Sequence, residues 1–292
     1  MNLMRIIPTS KTIIVAFSMG ESSAKMLDLI LKKYRISHNI IVVCCNTGEE
    51  DEESLIFAKK IQEYHNIDIV WLEYASERGF NVVNFETAYR KTDFEIKNRF
   101  PNHPFRKYIK DYGMPQYPNR TCTREMKERT ISRYLSSIGV YPRMCVRAVG
   151  IRFDEIGKRT PLITQYYPLI LEGVTKKQVN KYFEFDMLFR LQIPSYLGNC
   201  GACISKGLRN LCTIARTRPE KFDFFKVISE DYNCENHTFY RNRKNINDIF
   251  EMSKDKKIKD AHDNRFDLET DLQFDFELDS EGACGGTCEA FT

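Results

Sequence analysis

The residues best suited to chemistry in this chain are serines, glycines and cysteines set at turns. Phe17-Ser18-Met19-Gly20-Glu21-Ser22-Ser23 follows an unbroken, β-branched run from Thr12 to Phe17 and precedes an amphipathic stretch from Ser22 to Tyr34. A strand, a Ser/Gly turn and a helix start make an anion site. The N–H groups of the first helical turn lack partners and carry the positive end of the helix dipole. Gly20 would admit a phosphate closely, and Ser18, Ser22 and Ser23 would add hydroxyl donors; a simple helix cap at Ser22 uses the same residues. A second polar turn, Asn46-Thr47-Gly48-Glu49-Glu50, ends the apolar run Ile40 to Cys44. Asn46, Thr47 and Gly48 would shape a wall beside that site. Glu50 would position a metal or the loop, or cap the next helix.

The ten cysteines are the other chemical resource. In a reducing compartment such residues serve as buried thiols, ligands or redox groups more often than as disulfides. Cys200-Gly201-Ala202-Cys203 sets two thiolates on a tight turn, which is half of a metal site. Cys44 and Cys145 lie in apolar runs and read as core, with Cys45 left open. The five histidines (His38, His65, His103, His237 and His262) form no ligand-spaced pair and receive no role.

These turns need a scaffold. Strand-like runs at Thr12–Phe17, Ile40–Cys44 and Ile69–Leu72 alternate with helix-like stretches at 22–34 and 52–64, the pattern of a doubly wound, mostly parallel α/β sheet. Cys145–Val149 is expected as a fourth strand, reached after an excursion over 76–120. There Arg90, Lys91, Lys97, Arg99, Arg106, Lys107, Lys110 and Arg120 are interleaved with Tyr89, Phe94, Phe100, Phe105, Tyr108 and Tyr112. A solvated helical insertion with an apolar inner face is the favoured reading, and a surface for nucleic acid the alternative. The expected division is 1–197 for the nucleotide-binding domain, 198–240 for the cysteine knuckle with a helix over 206–216, and 241–292 for a charged tail ending in Cys284-Gly285-Gly286-Thr287-Cys288.

The motifs resemble those of the phosphoadenosine-phosphosulfate reductase family, within the larger group of PP-loop ATP pyrophosphatases. The first loop is similar to that family's Ser-Gly-Gly-x-x-Ser, and Asn46-Thr47-Gly48-Glu49-Glu50 with Glu53-Ser54 to its Asn-Thr-Gly-x-Glu and following Glu-Thr. Cys122-Thr123-Arg124-Glu125-Met126-Lys127 resembles Cys-Thr-x-x-x-Lys, and Gly150-Ile151-Arg152-Phe153-Asp154-Glu155 resembles Gly-x-Arg-x-Asp-Glu. Tyr167-Pro168-Leu169 with Lys176 and Val179 resembles the entry to a late helix. Gly198-Asn199-Cys200-Gly201-Ala202-Cys203 with Lys206 is similar to the Gly-Asn-Cys-x-x-Cys of a branch common in phage and bacterial genomes. The likeness spans most of Ile13 to Phe225. Two positions depart from it. Met19 stands where a glycine is usual and resists φ > 0, so either that conformation is not needed or the loop is altered. Ser22 replaces a common Asp, removing a carboxylate that would handle magnesium.

The resemblance implies an adenine nucleotide such as ATP on the first loop, with Mg2+ beside it. Arg152 and then Lys127 would meet charge developing at the α-phosphate, and Asp154 and Glu155 would hold that arginine or the metal. It implies a third thiol ligand in Cys122, as in related tRNA-thiolating enzymes that hold a 4Fe-4S cluster by three cysteines and leave one iron open to carry sulfur; Cys212, Cys284 or Cys288 would instead close the fourth position, and zinc or a merely reduced turn is the alternative. The expected activity is adenylation of a substrate, nucleic acid among the candidates, followed by sulfur transfer from a donor such as a cysteine desulfurase. The rival readings are a sulfonucleotide reductase and a nucleotide-binding module without chemistry. The reductase would use Cys284 or Cys288 and a thioredoxin-like partner. A homodimer remains open. Composition is that of an ordinary globular chain: 42% hydrophobic, 29% charged, net charge +4. No run reaches the roughly 20 apolar residues of a spanning helix and no leader is legible at Met1–Lys11, so a cytoplasmic location off the membrane is expected.

Overall fold

The computed structural model describes residues 10–157, 161–162 and 164–268. Strand β1 (Thr12–Ala16) leads to helix α1 (Glu21–Tyr34), then β2 (Asn39–Asn46), α2 (Glu52–His65), β3 (Ile69–Ala75) and β4 (Gly79–Val83). Helices α3 (Asp93–Lys97) and α4 (Pro104–Tyr112) follow. A short α5 (Thr121–Thr123) then runs through a π-helical turn, Arg124–Arg129, into α6 (Thr130–Ser137). The sheet resumes with β5 (Cys145–Ala148) and β6 (Gln165–Tyr166). The chain closes its described part with α7 (Pro168–Leu171), α8 (Lys176–Lys181), α9 (Leu208–Thr217), α10 (Asp223–Asp231) and α11 (Ile246–Ser253).

The six strands lie in the order β4-β3-β2-β1-β5-β6. Every neighbouring pair is parallel except β3–β4. The fold is the α/β, doubly wound, mostly parallel sheet that the strand–helix alternation predicts, with the antiparallel edge strand β4 as an addition. Central β1 is buried on both faces, which is why its run is unbroken rather than alternating. Ile13, Val15 and Phe17 pack with α1 and α2 on one side, and Ile14 and Ala16 pack with Ile131 and Leu135 of α6 on the other. Because β1 sits between β2 and β5, the sheet order reverses at β1–β5. The crevice for ligands opens there, beyond the carboxyl ends of the strands.

The excursion over 76–120 follows the inner-face reading. Phe100, Phe105 and Tyr108 are at most 3% exposed, and their rings pack with Phe224 and Phe225 of α10 or with one another. Each buried phenylalanine contributes roughly 2–3 kcal/mol of apolar transfer, so these rings are held in the core rather than offered for base stacking. Several of its cations pair with carboxylates of other elements: Arg106 meets Asp231 at 2.6 Å and Arg90 meets Glu52 at 2.9 Å. Cys145 is half-buried rather than core, because it opens β5 at the rim of the sheet.

The tail boundary at 241 is corrected by the structure. Ile246 and Ile249 of α11 are buried in the main core. Arg216 of α9 donates to the Ser253 carbonyl at 2.6 Å, and Asn180 donates to the carbonyls of Asn264 and Asp267 at 2.7 and 3.0 Å. Two isoleucines and these backbone bonds tie the stretch down through 267 despite its charge. Among the described residues no helix is long and apolar enough to cross a membrane.

Candidate nucleotide and thiol site

The first loop is organised from within by Ser23. Its hydroxyl accepts from the Ser18 and Gly20 N–H groups at 3.2 and 3.3 Å and donates to the Gly20 carbonyl at 2.8 Å. Met19 takes φ +59°, so the left-handed turn exists and a methionine makes it. That corrects the expectation that Met19 resists such a conformation. Holding a non-glycine residue there costs about 1–3 kcal/mol, offset because the thioether is 2% exposed within the core cluster. Gly20, by contrast, is extended (φ −115°), and an added Cβ would meet only Ser18 Oγ at 3.8 Å.

Basic side chains reach this loop from distant segments. Beyond β5 and the buried Gly150, Arg152 donates through Nη1 to Ser22 Oγ at 3.1 Å. Asp154 holds Arg152 Nε at 3.1 Å, and Glu155 accepts the Arg152 N–H at 2.9 Å. Glu21, the first residue of α1, is 6% exposed. Its carboxylate meets Arg190 Nε at 3.1 Å and Lys176 Nζ at 3.5 Å. Burial lowers the Lys176 pKa, with Glu21 opposing that shift. Arg190 carries no local sequence signal, and Lys176 could be singled out only as part of the late-helix segment.

The second loop stands beside the first. Asn46 donates to Glu73 Oε1 at 2.7 Å and to the Tyr89 carbonyl at 3.1 Å, while its own oxygen accepts the Gly48 N–H at 3.1 Å. Glu50 folds back to accept from the Thr47 N–H and hydroxyl at 2.7 and 2.8 Å. Lys127 Nζ lies 3.6 Å from Glu50 Oε1. Gly48 has φ +84°, and a Cβ there would lie 2.6 Å from His103 Cε1. His103, given no role from the sequence, is fully buried and stacks on Phe224. Its Nδ1 accepts from the Phe105 N–H at 3.1 Å, so Nε2 carries the proton and donates to Glu49 Oε1 at 3.0 Å. Glu49 also pairs with Lys91 at 2.5 Å.

The cysteine knuckle docks on this second loop. The Gly201 N–H donates to the Glu49 carbonyl at 3.0 Å, and Cys200 Sγ lies 3.4 Å from Thr47 Oγ1. A side chain at Gly201 would press on Lys221, whose nearest side-chain carbons would lie 3.0 Å from its Cβ. Lys206, 1% exposed, braces the turn by donating to the Tyr196 and Gly198 carbonyls at 2.8 and 2.7 Å.

Cys122, Cys200 and Cys203 line one cavity together with Thr47 and Lys127, its apolar walls including Phe105, Met126 and Phe225. Three soft thiol donors and a largely apolar wall suit an iron–sulfur cluster in chemical type. Among the described residues, however, no three His, Cys, Asp or Glu side chains stand grouped to hold a metal ion. Cys212 is fully buried within α9 and does not line this cavity. Cys284 and Cys288 lie outside the described residues. Lys127 has a second relationship: it also lines the small cleft over β1 and β2, with Ser18, Cys45 and Ile131.

No family model matches the chain. It is 25% identical over 289 residues to the uncharacterized nin region protein ORF290 of Escherichia phage lambda, covering 95% of this chain and 94% of that one. Among solved structures, the U34-tRNA thiolase NcsA from Methanococcus maripaludis with its [4Fe-4S] cluster aligns over 82% of this chain and 80% of that one, at 12% identity and a TM-score of 0.36.

Proposed function

We propose that this protein adenylates an oxygen of its substrate with ATP and replaces that oxygen by sulfur. The observation that carries the reading is Lys127, which lines both the small cleft over β1 and β2, where it shares the wall with Ser18 of the first loop, and the cavity of Cys122, Cys200 and Cys203. Phosphate chemistry and thiol chemistry therefore share one wall.

The N–H groups at the start of α1 and the Ser18 and Ser22 hydroxyls cradle the polyphosphate. Arg152, fixed by Asp154 and Glu155, faces the charge that grows as the substrate oxygen attacks the α-phosphorus and the bond to pyrophosphate breaks. Lys127 neutralises the phosphate that stays with the adenosine. A sulfur nucleophile in the thiol cavity then attacks the activated carbon, and AMP departs with the original oxygen. An iron–sulfur cluster, if one is bound, would draw its thiolates from Cys122, Cys200 and Cys203, which line the cavity but would have to draw together to hold it, and would supply sulfide there. The largely apolar wall of Phe105, Met126 and Phe225 keeps water from competing for the activated carbon.

The test is isotopic. With α-labelled ATP and a total RNA fraction, label should appear transiently on the acceptor and then as AMP, with equimolar pyrophosphate. ATP binding by calorimetry with no pyrophosphate from any acceptor would overturn the reading and leave a binding module.

A further inference from the structure

The second loop borders two different spaces. Thr47 lines the cavity of Cys122, Cys200 and Cys203, while Gly48 and Glu50 line a separate cleft of about 260 Å³. Two further segments supply most of that cleft's polar wall: Tyr89 to Lys91, which follow β4, and Arg218 to Asp223, which lead into α10. Its volume falls just below the roughly 300–1,000 Å³ of pockets for drug-sized ligands, so the occupant it suits is a small metabolite.

The charge of the cleft selects among such molecules. Four cations line it, Arg90, Lys91, Arg218 and Lys221, and so do four carboxylates, Glu50, Glu52, Glu220 and Asp223. A phosphate or other polyanion would therefore meet as many repelling groups as attracting ones, and an organic cation would fare no better. Part of this charge is held from behind the wall. Buried Glu49 pairs with Lys91 at 2.5 Å, buried Asp51 pairs with Lys221 at 2.7 Å, and Lys127 stands 3.6 Å from Glu50. These pairs fix the wall without exhausting it, since a lysine ammonium has three donors.

Two other groups have unused capacity. Arg90 gives Nε to Glu52 and Nη1 to the Ala88 carbonyl, and among the described residues its Nη2 donates to nothing. Asp223 meets only Lys226 among the described residues, at 3.8 Å, which is beyond hydrogen-bond reach. Arg90 with its neighbour Lys91 can thus take a carboxylate, and Asp223 an ammonium, in a cleft otherwise balanced in charge. Leu55 and Phe100, both buried, add an apolar surface to the same cleft.

We propose that this cleft binds a free α-amino acid with an apolar side chain. Arg90 and Lys91 take its carboxylate, Asp223 takes its ammonium, and its side chain packs on Leu55 and Phe100. The site adjoins the thiol cavity through Glu50, which lines the cleft and also accepts the Thr47 N–H at 2.7 Å. Binding here requires no ATP and is independent of the adenylation reading.

Titration calorimetry of the full chain with free leucine, methionine and phenylalanine tests this without catalysis. At least one should bind saturably, with a Kd of about 1 mM or tighter. Analogues of the best binder that lack the amine or the carboxylate should each bind at least about ten-fold more weakly, as loss of a charge-assisted hydrogen bond predicts. For leucine these are 4-methylpentanoate and 3-methylbutylamine. Arg90→Gln and Asp223→Asn should each lower the affinity at least about ten-fold while melting as the parent does, because both change partly exposed side chains. No amino-acid binding by the parent would overturn the proposal. So would equal binding of either analogue, tighter binding of inorganic phosphate, or unchanged affinity in both variants.

Discussion

Arg152 Nη1 lies 3.1 Å from Ser22 Oγ, joining two loops 130 residues apart across the β1–β5 crevice. That bond sets the guanidinium over the start of α1, where the polyphosphate would lie. Arg152→Ala should lower the rate of pyrophosphate release by about 10²-fold, the usual loss when one preorganised donor to a developing charge is removed. Arg152→Lys should recover little, since a point charge cannot both meet Ser22 and stay forked on Asp154. Single-turnover kinetics with α-labelled ATP reads this directly; an unchanged rate would remove Arg152 from the reaction.

Gly48 offers a sharper structural test. Its φ of +84° and the 2.6 Å approach of His103 to a would-be Cβ act together. Gly48→Ala should destabilise the protein by about 2–4 kcal/mol and weaken nucleotide binding in whatever fraction stays folded. Gly20→Ala, where the nearest atom is 3.8 Å away, should be mild in thermal unfolding. Equal losses for the two would show that the space behind Gly48 is not the constraint.

The same buried group predicts how stability depends on pH. Burial lowers the His103 pKa from 6.5 to about 4, with Glu49 opposing that shift; Lys91 lowers it further and Glu95 raises it. The unfolded chain therefore holds a proton between pH 6.5 and about 4 that the folded chain does not. Stability should fall as pH drops through that window, by about 1.4 kcal/mol per pH unit from this residue. Glu49 acts below it. Burial raises its pKa, but Lys91 and His103 more than compensate, so it is lowered overall and its stabilisation is lost at still lower pH. Denaturant melts of the parent and of His103→Gln at pH 7, 6, 5 and 4.5 check this. The parent's slope should exceed the variant's, and parallel curves would contradict it.

Both polar loops could be read from the sequence because each is a local pattern, an apolar β-branched run followed by small polar residues. The sheet followed from the same periodicity. What escaped was whatever depends on residues far apart in the chain. Arg190 reaches Glu21 across 169 positions and His103 reaches Glu49 across 54. Met19 misled for a related reason: its left-handed backbone is sustained by a core contact, and intrinsic preference knows nothing of that contact. Residues 241–267 looked like a tail because charge dominates them, although two isoleucines on one face of α11 suffice to dock the stretch.

The three cavity thiols should separate the two halves of the reaction. Cys200→Ser or Cys203→Ser should abolish sulfur incorporation while leaving pyrophosphate release within about three-fold of the parent, because adenylation needs only the phosphate site. Cys212→Ala, altering a thiol outside the cavity, should keep both activities and lose only stability, by about 1–2 kcal/mol. Mass spectrometry of the acceptor for the oxygen-to-sulfur mass change distinguishes the cases. Undiminished incorporation in both Cys200→Ser and Cys203→Ser would move the sulfur chemistry elsewhere.

Glu21 gives the least expected outcome. A carboxylate at the first turn of a helix is favoured by the dipole, yet here it also occupies Arg190 and Lys176 at 3.1 and 3.5 Å beside the phosphate loop. Those are the cations that an incoming polyphosphate would use, so Glu21 acts as an internal anion that the nucleotide must displace. Glu21→Gln keeps the size and one acceptor oxygen but removes the charge. It should tighten ATP or pyrophosphate binding by roughly ten-fold, equivalent to about 1.4 kcal/mol. It should also lower stability in the absence of nucleotide, since the half-buried Lys176 and Arg190 lose a charged partner, although Arg190 keeps Glu184 at 3.3 Å. Titration calorimetry of parent and variant with pyrophosphate gives the answer without any catalysis. Weaker binding in the variant would mean that Glu21 orients Arg190 and Lys176 for the phosphates instead of competing with them.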